Sequence, residues 1–445
     1  NILRYQPIGV DAVTGATFSS NALKEGVEKC LKQAGADMKQ FTRKAEKHPI
    51  HNRTYQADVV VIGGGGAGLA SAISSMQAGA KKVIVLEKLG YVGGSTNVSE
   101  GALNAVDDQR QKAQGIKDSY ETFYETTMHG GHDKGDPTLV RFLTSHSMDA
   151  VNWLESLGVK FNDHIGAATG SLGQRSHYPA TPYGNTYIRT FEKVIADSNG
   201  KIQDRKIQVL LDTPAVKLIQ NKSGRVVGVV GNNFGSKVTV MAKDGVIIAT
   251  GGFGANVAYR QKVNTGVWKN IKLDNSIGCT NIQKAAQGQG LFLAQKVGAK
   301  LIGLSDIQIH PCGTPGTGLM ENIRTSGRNR IFVNSDGNRF VNEGAARDVL
   351  ANAIFQQKGR TYWIVVNKLR YPTPDFKDRM GASIRNMEAL GAVVEAPTLD
   401  ELAKKTGMNA ENLKKAIADY NAVVSGKAKD KLGFVANNKD DKQMT

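Results

Sequence analysis

Cysteine is scarce in this chain of 445 residues. Cys30, Cys279 and Cys312 are too few and too scattered for a disulfide framework or a zinc site, and no metal site is expected. No C-x-x-C-H occurs, which argues against a c-type haem on this chain. Long apolar runs are missing as well. The longest charge-free stretch, Val59 to Ala80, is broken by glycines and serines and lies between two strand-like segments, so no transmembrane helix is expected. Lysine and arginine outnumber the acids, 57 against 40, for a net charge of +17. The excess is spread along the chain without a basic tract interleaved with aromatics, which argues against nucleic-acid binding and reads as a general attraction for anions, small carboxylates included. The first residues show no methionine, basic n-region or apolar h-region, so the sequence reads as opening inside a longer product.

Glycine, by contrast, is plentiful, at 50 residues, and the length suits two or three domains of an α/β protein. The densest signal runs from Ala57 to Glu87. Val59-Val-Val-Ile62 reads as a buried parallel strand, and Gly63, Gly65 and Gly68, with Gly66 and Ala67 between, form G-x-G-x-x-G at the turn into a small-residue helix. One glycine makes the turn, one admits a pyrophosphate, and one lets helix and strand pack closely. The helix N-terminus supplies N–H donors and partial positive charge to the phosphates. A second strand from Lys82 ends at Glu87, about twenty residues past the glycines, where a carboxylate accepts ribose hydroxyls. This is a dinucleotide site in a Rossmann-like unit.

Further loops narrow the choice of dinucleotide. Gly90-Tyr-Val-Gly93-Gly94-Ser95-Thr96-Asn97, Glu100-Gly101-Ala-Leu-Asn104 and Val246-Ile-Ile-Ala249-Thr250-Gly251-Gly-Phe-Gly254 resemble the FAD-containing fumarate reductase and succinate dehydrogenase flavoprotein family. The resemblance implies non-covalent FAD, held by these loops together with Glu87 and Lys88. Near the N-terminus, Asp11-Ala-Val-Thr-Gly-Ala-Thr17 precedes a helical stretch from about Asn21 to Gln33. By residue pattern alone this is a capped helix start. It also resembles the motif of FMN-binding domains whose final threonine is esterified to FMN phosphate, which implies covalent FMN on Thr17 as an electron relay. The polar, basic stretch Lys39 to Tyr55 reads as a linker. Asp136-Pro137 opens a helix through Leu157 with apolar residues at Leu139, Phe142, Leu143 and Val151, a surface helix packed on the core. Arg175-Ser-His177 is similar to a segment that the family sets beside the flavin, although a hydrogen-bonded structural histidine fits equally. Val209 to Val240 alternates and reads as a small antiparallel insertion.

From about Ser305 the pattern changes. Gln308-Ile-His310-Pro311, Glu321-Asn-Ile-Arg324, a hairpin of Arg330–Asn334 and Asn338–Asn342 turned at Ser335-Asp-Gly337, and Glu343-Gly-Ala-Ala-Arg347-Asp348 resemble the substrate-clamp domain of soluble fumarate reductases and flavocytochrome c enzymes. The resemblance implies Arg347 as catalytic proton donor, Glu321 and Arg324 as the pair that reprotonates it, and His310, with Gln308, as carboxylate ligands. Chemistry supports the assignment independently. Reducing a C=C beside a carboxylate builds negative charge on one carbon, where a cation and a proton are both needed, and arginine supplies the two together. Glu321 and Arg324, three apart, would share a face on a helical turn. The bland alternatives are a surface ion pair for these two and, for Arg347, a structural pairing with Asp348 or Glu343. Met320 stands where fumarate-specific members often carry a small or hydroxyl residue, which keeps urocanate, acrylate, methacrylate and cinnamate in play. The family's late segments, among them a His-Thr-Met-Gly-Gly stretch and an Arg-Leu-Gly-Gly-Asn, do not appear before Thr445.

The expected architecture is therefore α/β. An FMN-binding segment (1–45) and a linker (46–56) precede an FAD-binding Rossmann-like domain (57–304) and an α+β substrate-clamp domain (305–445). The expected activity is reduction of an α,β-unsaturated carboxylate, fumarate first, fed by an external cytochrome, quinol-linked or NADH-linked donor. An extracytoplasmic location is favoured over a cytoplasmic one. The rival from another class is a flavin electron-transfer protein with no substrate chemistry.

Overall fold

The computed structural model describes all residues except 1–7, 9–16, 43–49, 169–172, 199–205, 280, 283, 316–317, 319, 321, 326–327, 379–380, 437–440 and 445. The chain divides into two units. The first holds residues 1–53 together with the turn 233–237. Its main element is α1 (Thr17–Gln33), longer at its start than the sequence pattern implied and carrying i,i+4 ion pairs Glu25–Lys29 and Glu28–Lys32 on its exposed face. The strand-leading segment is tied to the turn by the N–H of His51, donated to Ser236 Oγ, and the N–H of Lys237, donated to Asn52 Oδ1.

The second unit, 54–232 and 238–445, is built on β1 (Arg53–Ile62), α2 (Gly66–Gln77) and β2 (Lys82–Leu86). α3 (Tyr120–Gly130), α4 (Pro137–Ser156) and α5 (Asn185–Ser198) follow, then β3 (Lys206–Leu210), β4 (Ala215–Gln220), β5 (Val226–Asn233) and β6 (Ser236–Ile248). The sheet runs β3–β2–β1–β6–β5–β4. β1, β2 and β3 are parallel neighbours, with Val60 opposite Ile84 and Val85 opposite Val209. The stretch read as an antiparallel insertion is thus divided. Val209 belongs to the parallel sheet, and β4 pairs antiparallel with β5, which is itself the sheet neighbour of β6.

Strand alternation explains how one sheet supports two cores. Val61, Val83 and Val85 pack with Leu69 and Ile73 of α2, Val151 of α4 and Phe191 of α5. Val60, Ile62, Ile84 and Leu86 form the opposite cluster with Leu218, Val229 and Val240. Both faces of β1 and β2 are covered, so their sequences are continuous apolar runs rather than alternating ones.

α4 departs from its expected role at one end. Thr144, Ser147, Val151 and Leu154 form its buried stripe, whereas Leu139, Phe142 and Leu143 are exposed at 68%, 64% and 60%. Apolar spacing pointed to a face that the fold does not bury.

Beyond residue 305 lie β7 (Arg330–Val333), α6 (Arg347–Phe355), β8 (Trp363–Val366), α7 (Leu399–Thr406) and α8 (Ala410–Val424). Ile331, Val333 and Val365 pack with Ala403, Leu413, Ile417 and Tyr420. The expected hairpin keeps its turn, with the N–H of Asn334 donated to Asn338 O, but retains a single bridge, Val333 to Arg339. β7 pairs instead with β8, Val365 opposite Ile331. The reason is a buried charge cluster. Arg339 makes a two-pronged contact with Glu343, at 2.9 and 2.8 Å, and reaches Asp430 at 2.8 Å, while Glu343 Oε1 also accepts the N–H of Phe332. A carboxylate that occupies a ladder N–H leaves no place for a returning strand.

Candidate active site

The glycine turn has the close approaches that the motif requires. A Cβ on Gly68 would lie 1.8 Å from Gly63 O, and one on Gly63, where φ is +108°, would lie 2.4 Å from Ala249 O. The ends of β1 and β6 and the first turn of α2 therefore meet where only glycine fits. Gly65, Gly251 and Gly252 border open space, Gly65 with nothing nearer than 3.8 Å and the other two with nothing within 4 Å. That is the space a pyrophosphate and an isoalloxazine ring would need.

The second loop closes on the turn. Gly93 donates its N–H to Gly64 O at 2.7 Å, and Thr96 Oγ1 accepts the N–H of Gly66 at 3.3 Å. Gly94 lies 3.7 Å from Gly65 Cα by the same Cβ measure. Ser95 Oγ accepts the N–H of Ile282, and Gly101 O accepts the buried Tyr187 hydroxyl at 2.5 Å. Thr250 Oγ1 lies where a Cβ on Gly290 would fall, 2.0 Å away. Glu87 is buried, and its two oxygens accept the N–H groups of Gly64 at 2.6 Å and Leu89 at 2.7 Å. These bonds fix the carboxylate at the C-terminal end of β2 and leave it lone pairs for hydroxyl donors. Lys88 reaches Gln289 Oε1 at 2.9 Å; burial pulls its ammonium below the usual value, with the Glu87 charge opposing. The residues present fit FAD, since the turn, the helix N-terminus, the ribose acid and the second loop converge on one crevice. Ala67 adds no bulk in the first turn of α2. A cavity of about 760 Å³ lies on the outer flank of this loop, lined by Tyr91, Asn97, Ile188 and Leu211 among others, and touches neither His310 nor Arg347.

A second constellation gathers from distant segments. His310 is half-buried and held near pKa 4 by burial first, then by the charges of Arg347 and Arg324. Arg347 begins α6. Of the neighbouring carboxylates, Glu343 binds Arg339, and Asp348 Oδ2 lies 2.7 Å from His132 Nε2. Arg324 lies in irregular chain rather than on the expected helical turn, and Glu321 lies outside the described residues. Instead, Arg324 Nε stands 3.8 Å from Glu100 Oε1, with the arginine carbonyl accepting from Arg370. Among the described residues, no hydrogen-bond acceptor lies in range of the buried Arg324 Nε. Gln308 is exposed. Glu100 and Cys312, which sequence reasoning passed over as site residues, both belong here. Met320 is half-buried, and the side chain of Thr17 lies outside the described residues. Among the described residues no cluster of three His, Cys, Asp or Glu side chains could hold a metal, and no helix is long and apolar enough to cross a membrane.

His177 takes the structural role. It is fully buried, with Nε2 3.1 Å from Asp107 Oδ2 and Nδ1 facing the carbonyls of Arg175 and Leu103. Arg175 likewise grips Asp118 through two bonds of 2.8 Å.

The His310 environment predicts a pH signature. An unfolded histidine takes its proton near pH 6.5, and this one only near 4 when folded. Between those values the unfolded state binds the extra proton, so stability falls as pH drops through that window and levels off below it. Denaturation midpoints at pH 4.5 and 7 should differ less for His310→Gln than for the wild type; equal differences would remove this account of the imidazole.

A strand–glycine turn–helix crevice with a buried acid at the next strand end, in a chain where two arginines bear on a neutral histidine, defines a dinucleotide-binding flavoprotein. The chain belongs to the FAD binding domain family, whose model matches residues 58–443, and specifically to its fumarate reductase-type flavoproteins. An FMN-binding domain model matches residues 4–32, so the cofactors are FAD and FMN. Among relatives, an NADH:acrylate oxidoreductase of Vibrio harveyi is 31% identical over 95% of this chain and 47% of its own length. A urocanate reductase of Eggerthella lenta is 33% identical over 94% of this chain and 68% of its own. The open conformation of a flavocytochrome c3 fumarate reductase matches with a TM-score of 0.65 and 30% identity, over 88% of this chain and 65% of that one. The chain spans about half the length of the first of these relatives.

Proposed function

We propose that the chain is the flavin-bearing catalytic part of an enoate reductase, with fumarate as first substrate. The observation that supports this reading is that the charges of Arg347 and Arg324 both bear on His310, which burial and those charges keep neutral. Two fixed cations attract a dicarboxylate, and an imidazole kept neutral at physiological pH offers a directional N–H donor. His310 and Gln308 bind carboxylate oxygens. Arg347 stabilises the charge developing on the substrate carbon and donates the proton there, and Arg324, with Glu321 or Glu100, restores it. FAD, when bound, supplies hydride to the other carbon. Residues 305–445 act as the substrate-clamp domain and 57–304 as the FAD domain, with 46–56 linking them to the FMN segment 1–45.

A second reading concerns the substrate alone. The half-buried, apolar Met320 next to Glu321 suits an enoate with a single carboxylate, and relatives are named for acrylate and urocanate. Turnover with a reduced viologen dye across fumarate, urocanate, acrylate, methacrylate and cinnamate tests both. The highest kcat/KM is expected for fumarate, and a monocarboxylate ahead of it would transfer the assignment to the second reading.

FMN on Thr17 relays electrons from an external cytochrome, quinol-linked or NADH-linked donor. Thr17→Ala is expected to abolish flavin fluorescence that survives denaturing electrophoresis while FAD stays bound. Persistence of that fluorescence would rule out the ester at this residue.

A further inference from the structure

Cys312 follows His310 by two residues, and its Sγ lies 2.9 Å from Nδ1 but 4.0 Å from Nε2. The sulfur therefore addresses one ring nitrogen. It is 3% exposed, and burial pushes the thiol up to about 12, so it carries its proton at neutral pH. The imidazole is neutral under the same conditions, which leaves one ring nitrogen as donor and the other as acceptor. The hydroxyl of Thr325, 1% exposed, is a further hydrogen-bond partner of the sulfur. A thiol sulfur is a weak acceptor and the unprotonated nitrogen of a neutral imidazole a good one, so the 2.9 Å contact is best made with the thiol's proton on Nδ1. The segment is held from both sides: Tyr362 donates its hydroxyl to Pro311 O, and Asn322 Nδ2 donates to Cys312 O at 3.2 Å.

We propose that Cys312 is a positioning residue whose S–H donates to His310 Nδ1 and thereby fixes the Nε2–H tautomer that binds an enoate carboxylate. The consequence for substrate rests on His310 being a carboxylate ligand, as proposed above. A histidine free to choose its tautomer would present a lone pair to the carboxylate for part of the time, which weakens binding without removing the proton donor, Arg347. Selecting that tautomer from a free mixture weakens affinity by the inverse of its population, about twofold for an even mixture.

Ring-15N histidine NMR of the FAD-loaded protein reads the tautomer directly, with His310→Gln assigning the signals. The wild type is expected to show His310 as Nε2–H, Cys312→Ala to shift those nitrogens toward a mixture, and Cys312→Ser, which keeps a donor, to restore them. In steady state, Cys312→Ala should raise KM by the inverse of the Nε2–H fraction that the spectrum shows, about twofold for an even mixture, with kcat unchanged. An Nδ1–H tautomer in the wild type, or a Cys312→Ala spectrum identical to it, overturns the proposal. The wild-type spectrum decides even if the alanine variant fails to fold. A wild-type Nε2–H tautomer in a protein that turns over no enoate would sustain the Cys312–His310 pairing and remove the substrate reading.

Discussion

Arg347→Lys and Arg347→Ala are expected to lose enoate reduction by at least about a thousandfold while FAD content and fold are retained. The proposed role puts two demands on one side chain, stabilising charge on the substrate carbon and delivering a proton to it. Lysine keeps a charge but is a shorter-reaching point donor without the planar fork, so it should not substitute. The position is suited to the task because Arg347 opens α6 and bears electrostatically on His310. FAD binding should be unaffected, since the crevice is built from residues on β1, α2, β2 and the loops at 93–101 and 249–251. Retained activity in either variant would assign Arg347 a structural role.

Gly68→Ala should produce the other large effect, on the cofactor rather than the chemistry. Its added methyl would sit 1.8 Å from Gly63 O, a backbone atom of the turn that must stay where the pyrophosphate approaches. Relieving the clash moves helix α2 or the turn itself. Overpacking of this kind costs about 1–3 kcal/mol, which corresponds to roughly ten- to a hundredfold weaker FAD binding if it falls on the holo state. Gly245→Ala is the control, since a Cβ there meets nothing within 4 Å. Flavin titration of the two apoproteins separates them; equal affinities would show that the close packing at Gly68 is not needed for the cofactor.

The two predictions differ in how much of their basis was legible in the sequence. The crevice was almost wholly legible, because its physics is local. A β-branched run, a glycine spacing and an acid at the next strand end fall within Ala57 to Glu87, and the observed β1, α2 and β2 follow them closely. The pocket was legible only in part. Arg347, Arg324 and His310 came from resemblance, and their shared electrostatics emerged in the fold. Glu100 gave no signal of its own, since it belongs to the cofactor loop and meets Arg324 only through a contact across more than two hundred residues of chain. Cys312 was counted as one of three scattered cysteines, and only its distance to one nitrogen of His310 gives it a role. The expected return strand at Asn338–Asn342 failed for a tertiary reason, because Glu343 takes the Phe332 N–H and draws Arg339 with it. Apolar spacing on α4 could not reveal that Leu139, Phe142 and Leu143 lie beyond the packed half of the helix.

Substrate chemistry at the pocket is the central claim, and mixing the anaerobically reduced, flavin-loaded protein with fumarate tests it most directly. The account predicts reoxidation of FAD with succinate formed in equal amount. Flavin that stays reduced with fumarate and every other enoate, yet is reoxidised by a one-electron acceptor, would contradict it and identify an electron carrier.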